Sequence, residues 1–177
     1  MNTRRWTSLA LGLALCLPVT HVGASPRAVP TTVLFAPPML AALDRTYGEA
    51  EAPVLQKTIS ERVALALRSA GCEGVAEVEI TLLDARPTHP TDRQVGDNPA
   101  LDRLRTHFVG GATFSARLLD SAGQELKSLR YDWYAQDLRH GSRSLEPWGD
   151  VRLASEGLGS ELARTCRALK PSHPAAS

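Results

Sequence analysis

The feature that most constrains the fold is a pair of alternating segments on either side of a tight turn. Residues 112–119 alternate between apolar and polar side chains, and the segment from Gln124 to about Ala135 alternates again. Alternation of this kind is typical of a strand with one buried face. Between them lies Asp120-Ser121-Ala122-Gly123, whose glycine suits the left-handed position of a tight reversal. The sequence therefore predicts an antiparallel hairpin, with a bulge near Lys127-Ser128.

Four further segments complete the predicted fold. They are a short strand at 32–36, a helix at 50–70, an alternating strand at 76–84 and a helix from about 147 to 169. Helices with one apolar stripe and strands with one apolar face pack as two layers. We therefore expect an α+β protein, a two-layer α/β sandwich of order β-α-β-(long loop)-β-β-α. Its helices cover one face of a mostly antiparallel sheet. Gly157 and Gly159 weaken the middle of the last helix, which predicts a bend or close packing there.

The first 24 residues have the three parts of a secretory signal peptide. Arg4 and Arg5 precede an apolar run from Trp6 to Val19, and small residues follow at Val22-Gly23-Ala24. A transmembrane anchor needs roughly 20 apolar residues, more than this run offers. Cleavage near Ala24 predicts a periplasmic or secreted protein with no transmembrane segment.

The rest of the chain then divides into three parts. We expect an extended leader at 25–31, a single α/β domain at 32–170 and a disordered tail at 171–177.

Lipid anchoring at Cys16 is an alternative to a soluble product. The preceding residues are Leu13-Ala14-Leu15, and a lipidated cysteine is ordinarily preceded by a small residue. Because Leu15 is large, the sequence favours the soluble product.

The charge balance argues against two classes of partner. Without Arg4 and Arg5, the chain keeps 18 basic residues against 19 acidic ones. Proteins that bind nucleic acid or an anionic membrane surface ordinarily carry a basic excess. Neither is expected as the main partner.

Two cysteines remain after signal cleavage, Cys72 and Cys166. An even number of cysteines in an exported protein predicts a disulfide. Cys72 follows the first long helix and Cys166 lies on the apolar stripe of the last. A bridge between them would join two elements that are 94 residues apart in sequence.

The segment 86–111 is the long loop of the predicted fold. Loops of this length are usually either functional or disordered. Asn98-Pro99 predicts the start of a short helix through Leu104. Three aspartates at steps of five match no calcium loop and are interpreted as solvated charges: Asp92, Asp97 and Asp102.

No catalytic or metal-binding motif is present in the sequence. The histidines lack the spacing of a zinc site, and no nucleophile motif or phosphate-binding loop occurs. His107, beside Phe108, is interpreted as a buried, hydrogen-bonded side chain. We therefore assign no catalytic residue, metal or cofactor.

The run Tyr131-Asp132-Trp133-Tyr134 supplies a candidate binding surface. In a strand, Tyr131 and Trp133 share one face and Asp132 and Tyr134 the other. Aromatic residues and arginine dominate the energetics of protein contacts. The predicted candidate surface consists of Arg130, Asp132, Tyr134 and His107.

The stretch Gly110-Gly111-Ala112-Thr113-Phe114-Ser115-Ala116-Arg117-Leu118-Leu119-Asp120-Ser121-Ala122-Gly123-Gln124-Glu125-Leu126 resembles the strand-turn-strand of small bacterial envelope α/β domains. Similar layouts occur in envelope proteins of unknown function, in outer-membrane lipoprotein activators of peptidoglycan synthases and in curli-secretion lipoproteins. The likeness covers 17 residues as a pattern and residues 32–169 as a topology. The resemblance implies binding and scaffolding rather than catalysis.

Two functional hypotheses follow. The first is a non-enzymatic periplasmic or secreted domain that binds an envelope protein or assists assembly, through the sheet edge or the 86–111 loop. The second is a small periplasmic hydrolase or ligand-binding protein. It would use His107 with an acid such as Asp132 or Asp102, which requires hydrogen-bond contact or one bridging water.

Overall fold

The structure is a computed structural model, and it describes residues 29–72 and 74–169. The predicted signal peptide, Cys16 and the predicted tail at 171–177 lie outside the described residues. The predicted leader falls partly within them, and its last residue, Thr31, begins the first strand.

The described residues form four strands and four α-helices. In chain order they are β1 (Thr31–Phe35), α1 (Pro37–Ala42), α2 (Glu51–Arg68), β2 (Glu77–Arg86), α3 (Asp92–Asp97), β3 (Gly111–Leu119), β4 (Glu125–Tyr134) and α4 (Gly149–Leu169). A π-helical turn, Leu43–Tyr47, connects α1 to α2. The six predicted elements are all present, and α1, the π-helical turn and α3 are additions to them. The prolines after β1 occupy the first turn of α1, where a helix does not use their missing N–H groups.

The strands form one mixed sheet in the order β1-β2-β3-β4. β1 pairs parallel to β2, whereas β2, β3 and β4 pair antiparallel. The parallel pair follows from the crossover through α2, since parallel neighbours need a long connection. α2 and α4 pack against each other and cover one face of the sheet. The predicted two-layer sandwich is confirmed.

The core lies between this helical layer and the sheet. Strands and helices contribute apolar side chains with no exposed surface: Val78, Ile80, Leu82, Phe114, Leu118, Leu55, Ile59, Val63, Leu158 and Leu162. Burial of each such side chain contributes about 1.5–3 kcal/mol. The opposite face of the sheet, which we call the open face, carries the alternate side chains of the strands.

Two bulges interrupt the ladders. In β2 the register shifts between Leu82 and Asp84, so Leu83 is an extra residue. In β4 the shift makes Leu126 the extra residue, one position before the predicted bulge at Lys127-Ser128. Gly123 has the predicted left-handed conformation in the hairpin turn, with φ of 75°.

Close packing at the two helix glycines, as predicted, is confirmed. A Cβ atom at Gly159 would lie 2.9 Å from the Cβ of Ala66 and 3.3 Å from the Cα of Val63. A Cβ at Gly157 would overlap the hydroxyl of Tyr131. These glycines therefore set how closely α4 approaches α2 and β4.

Replacing Gly159 by Ala is expected to lower the free energy of unfolding by about 1–2 kcal/mol. Overpacking against Ala66 and the backbone of α2 outweighs the gain in helix propensity. Gly96→Ala is the matched control, because a Cβ at Gly96 in α3 meets nothing within 4 Å. Urea denaturation should show destabilisation at 159 and a slight gain at 96; a gain at both would contradict the close approach.

The two cysteines lie together at one end of the helical layer. The Cα atoms of Cys72 and Cys166 are 5.0 Å apart, and the pair is compatible with a disulfide. Such a bridge would hold the exit of α2 against α4.

Candidate functional site

The open face of the sheet carries a polar network centred on Tyr134. The hydroxyl of Tyr134 donates a hydrogen bond to Asp84 Oδ2 at 2.7 Å and lies 3.1 Å from Thr113 Oγ1. Thr113 in turn donates to Asp132 Oδ1 at 2.7 Å. The guanidinium of Arg86 lies 5.1 Å from the centre of the Tyr134 ring, within the range of a cation–π contact.

Each of these side chains reaches the network through strand alternation. Thr113 and Asp132 are directly opposite each other in a close antiparallel pair. Asp84 and Arg86 face the same way as Thr113 because the bulge at Leu83 shifts the alternation of β2. The network therefore depends on three strands.

The predicted residues Arg130, Asp132 and Tyr134 lie on this face. Arg130 Nε is 3.2 Å from Asp132 Oδ2. The hydrogen bond from Thr113, followed by that from Arg130, holds the pKa of Asp132 below its usual range. Arg130 and Asp132 are both exposed, so their ion pair contributes little to stability.

Tyr134 remains a neutral phenol over the physiological range. Burial, followed by the hydrogen bond to Asp84, raises the pKa of its hydroxyl to about 12. The hydroxyl donates its one proton to Asp84 Oδ2, and this bond fixes the position of the Tyr134 side chain on the open face.

The phenolate titration of Tyr134 is expected to move toward lower pH in Asp84→Asn. It should remain above the ordinary value of 10, because burial, the larger cause, persists. Since the folded pKa is the higher one, the stabilisation is complete below pH 10 and declines as pH rises toward about 12.

Ultraviolet absorbance follows the formation of tyrosine phenolates as pH rises. The part of the titration curve that is lost in Tyr134→Phe belongs to Tyr134. Asp120→Asn is the control, since Asp120 caps the hairpin turn and has no contact with Tyr134. An unchanged titration in Asp84→Asn would contradict the hydrogen bond.

The outer edge of β4 carries backbone groups that no described residue bonds. The N–H of Ala135 donates to the carbonyl of Gly110 at 3.0 Å, next to the last pair of the β3–β4 ladder. Along an antiparallel pair, residues alternate between bonding the neighbour and pointing away from it. Counting back from Ala135, the groups that point away belong to Ser128, Arg130, Asp132 and Tyr134. We call these four residues the β4 edge.

His107 lies in the loop before β3, and no hydrogen bond or ion pair among the described residues joins it to Arg130, Asp132 or Tyr134. It is exposed, so the prediction of a buried His107 is wrong. Its ring contacts that of His89 edge-on, with centroids 4.1 Å apart. Within residues 29–72 and 74–169, no hydrogen bond or ion pair joins His107 to a carboxylate.

The buried histidine is His89, with no exposed surface and no partner on either ring nitrogen within the described residues. It belongs to the segment Pro87–Thr91, which is buried throughout. Phe108 N–H bonds to Thr88 O, and Thr88 N–H bonds to Pro147 O. The first part of the predicted 86–111 loop is thus buried and hydrogen-bonded to two other segments.

Residues 92–109 of that loop are exposed or partly buried. Thr91 caps α3 through a capping box with Gln94. The helix predicted from Asn98 to Leu104 is wrong: α3 ends at Asp97, and turns follow. The local side chains favour turns here, since Asn98 and Asp102 accept hydrogen bonds from the backbone just after them.

The three loop aspartates are exposed, as predicted. Asp92 pairs with Arg103 at 2.6 Å, and Asp97 pairs with Arg93 at 2.9 Å. Beside them is an open depression of about 580 Å³, lined by Val95, Leu101, Asp102, Arg103, Leu104 and Leu145.

Asp150, in the first turn of α4, holds this end of the molecule together. Its carboxylate is buried and accepts hydrogen bonds from the N–H groups of Gly110 and Ser142. The Asp150 N–H donates to Thr88 Oγ1 at 2.8 Å. The carboxylate therefore joins Gly110 to Ser142, and the backbone N–H of the same residue binds Thr88. Sequence reasoning missed it; the only local signal was an acid in the first turn of a helix.

Comparison of the chain with protein-family models, with curated proteins and with solved structures finds no match. In the part of the chain that the structure describes, no three His, Cys, Asp or Glu side chains are grouped to hold a metal ion. None of the described helices has both the length and the apolar character needed to cross a bilayer.

Proposed function

We propose that this protein is a non-enzymatic binding or assembly domain of the bacterial cell envelope, exported to the periplasm or secreted. The signal-like sequence at 1–24 supports export, and the Cys72–Cys166 pair suits an oxidising compartment. The resemblance of residues 110–126 to envelope α/β domains supports a binding role.

The observation that carries the proposal is the β4 edge, whose outward backbone groups are bonded by no residue of 29–72 or 74–169. An exposed strand with free N–H and C=O groups is a template for another strand. Partner binding by strand addition takes its affinity from main-chain hydrogen bonds and its specificity from alternate side chains. β4 is ten residues long, longer than the five-residue strand at the opposite edge.

The side chains of the β4 edge suit the same role. Arg130, Asp132 and Tyr134 project onto the open face from the residues whose backbone groups point outward. A strand added at this edge would therefore lie beside an arginine, a carboxylate and a tyrosine, and arginine and tyrosine dominate contact energies.

Site-specific photo-crosslinking in cells tests the proposal. A photoreactive residue at Arg130 should give a defined adduct, whereas one at Glu61, on the exposed surface of α2, should not. Equal labelling from both positions, or no adduct from either, would contradict docking at the β4 edge.

The compartment has a separate test. The intact mass of protein from the periplasmic fraction should correspond to cleavage near Ala24, with one disulfide under non-reducing conditions. A mass that includes a lipid on Cys16 would show an anchored product instead.

A further inference from the structure

We infer that the β4 edge pairs with a second copy of this chain, antiparallel, about a two-fold axis at Tyr131. This inference rests on the proposed function, because it names the partner of the docking strand. The argument comes from the order of the residues along β4 and from which of their groups point outward.

Two identical strands that pair antiparallel about a two-fold axis place each residue opposite its mirror position. With the axis at Tyr131, Arg130 of one copy lies opposite Asp132 of the other, and the reverse holds at the symmetric position. Both residues belong to the β4 edge, so their outward backbone groups meet as hydrogen-bonded pairs. Ser128 and Tyr134 form the next such pair on each side.

The charges select this register over its neighbours. Opposite charges directly across a sheet are stabilising and like charges are destabilising. Moving the axis to position 130 would place Arg130 opposite itself. Moving it to 132 would place Asp132 opposite itself. Of these three registers, only the axis at 131 places Arg130 opposite Asp132, and the symmetry gives two such attractive pairs.

The same register also covers apolar surface on the helical side. Leu129, Tyr131 and Trp133 pack against the core but remain partly exposed at the sheet edge. Across the axis, Tyr131 would meet its own copy and Leu129 would meet Trp133. Aromatic and apolar cross-strand pairs of this kind add to the stability of a sheet.

Pairing of this kind closes on itself. The contact is isologous, so it uses the β4 edge of both copies and leaves none free for a third. At the hairpin end, the bulge at Leu126 and the charge of Lys127 limit further pairing. The expected product is a dimer with a continuous eight-stranded sheet.

Sedimentation of the mature protein over a range of concentrations tests the inference. The wild type should shift toward twice the mass of the chain as concentration rises. In Arg130→Glu each copy brings two acidic residues to the axis, and in Asp132→Arg each copy brings two basic ones. Each variant alone should dimerise about tenfold more weakly, since both symmetric pairs become repulsive.

An equimolar mixture of the two variants should recover dimers. Positions 130 and 132 are both acidic in Arg130→Glu and both basic in Asp132→Arg, so every cross-strand pair in a mixed dimer is attractive. Arg130 and Asp132 are exposed, and circular dichroism checks that both variants fold. Arg139→Glu is the control for a general charge effect, since Arg139 lies beyond β4 and its side chain is 88% exposed.

A wild type that stays monomeric, or variants that dimerise as well as the wild type, would overturn the inference. If the protein is monomeric but still gives an adduct with a different envelope protein from position 130, the dimer fails and the proposed function stands. If it is monomeric and gives no adduct, both fail.

Discussion

Replacing Cys72 by Ser is expected to lower the free energy of unfolding by about 4 kcal/mol under oxidising conditions. The bridge to Cys166 closes a segment of 94 residues, and closing so long a segment removes much of the conformational freedom of the unfolded chain. Denaturant titration of the variant and the oxidised wild type measures the difference.

The variant is placed at Cys72 because Cys166 is fully buried in the core. A serine at 166 would add the cost of burying a hydroxyl, whereas Cys72 is only partly buried. The reduced wild type is the control and should unfold at the same denaturant concentration as Cys72→Ser. Equal stability of the oxidised and reduced wild type would contradict a structural bridge.

Replacing Asp150 by Ala is expected to lower the free energy of unfolding by about 3 kcal/mol. The change leaves the buried N–H groups of Gly110 and Ser142 without an acceptor, and each unsatisfied buried donor costs about 1–3 kcal/mol. Hydrogen exchange should also become faster at these two amides, which would locate the effect in the loops around α4.

Asp102→Ala is the matched control. Asp102 likewise accepts hydrogen bonds from two backbone N–H groups, those of Leu104 and Arg105, but it is exposed. Water can replace its carboxylate, so the change should have little effect. Equal losses in the two variants would contradict the burial of Asp150 as the cause.

Local periodicity predicted the elements that fill the core. In the β3–β4 hairpin, alternation identified both strands, and the glycine at 123 identified the turn. The stripes of α2 and α4 identified both long helices within a few residues. These features are set by burial of one face, which each segment encodes in its own order of residues.

The loops could not be predicted in this way because distant residues determine them. Pro87–Thr91 looks like a solvated connection in sequence, yet it is buried because Phe108 and Pro147 bond its backbone. The same packing buries His89 and leaves His107 exposed, the reverse of the expectation for His107.

The candidate site was half predictable. Strand alternation placed Arg130, Asp132 and Tyr134 on one face, and the structure has them there; their binding role stays a prediction. Their hydrogen-bond partners Thr113 and Asp84 lie on other strands, 19 and 50 residues away in sequence. Nothing in the local sequence relates those positions.

The bulge in β2 changes which residues of that strand face the helices. Before Leu83, even-numbered residues such as Ile80 point toward the helices; after it, odd-numbered Ala85 does so. Asp84 and Arg86 lie on the open face only because Leu83 is an extra residue in the ladder. If Leu83 instead took a regular place in the ladder, Asp84 and Arg86 would both point into the apolar layer, where an unpaired charge is strongly destabilising. The one extra residue at position 83 therefore allows the same strand to bury Ile80 and Leu82 and still expose Asp84 and Arg86.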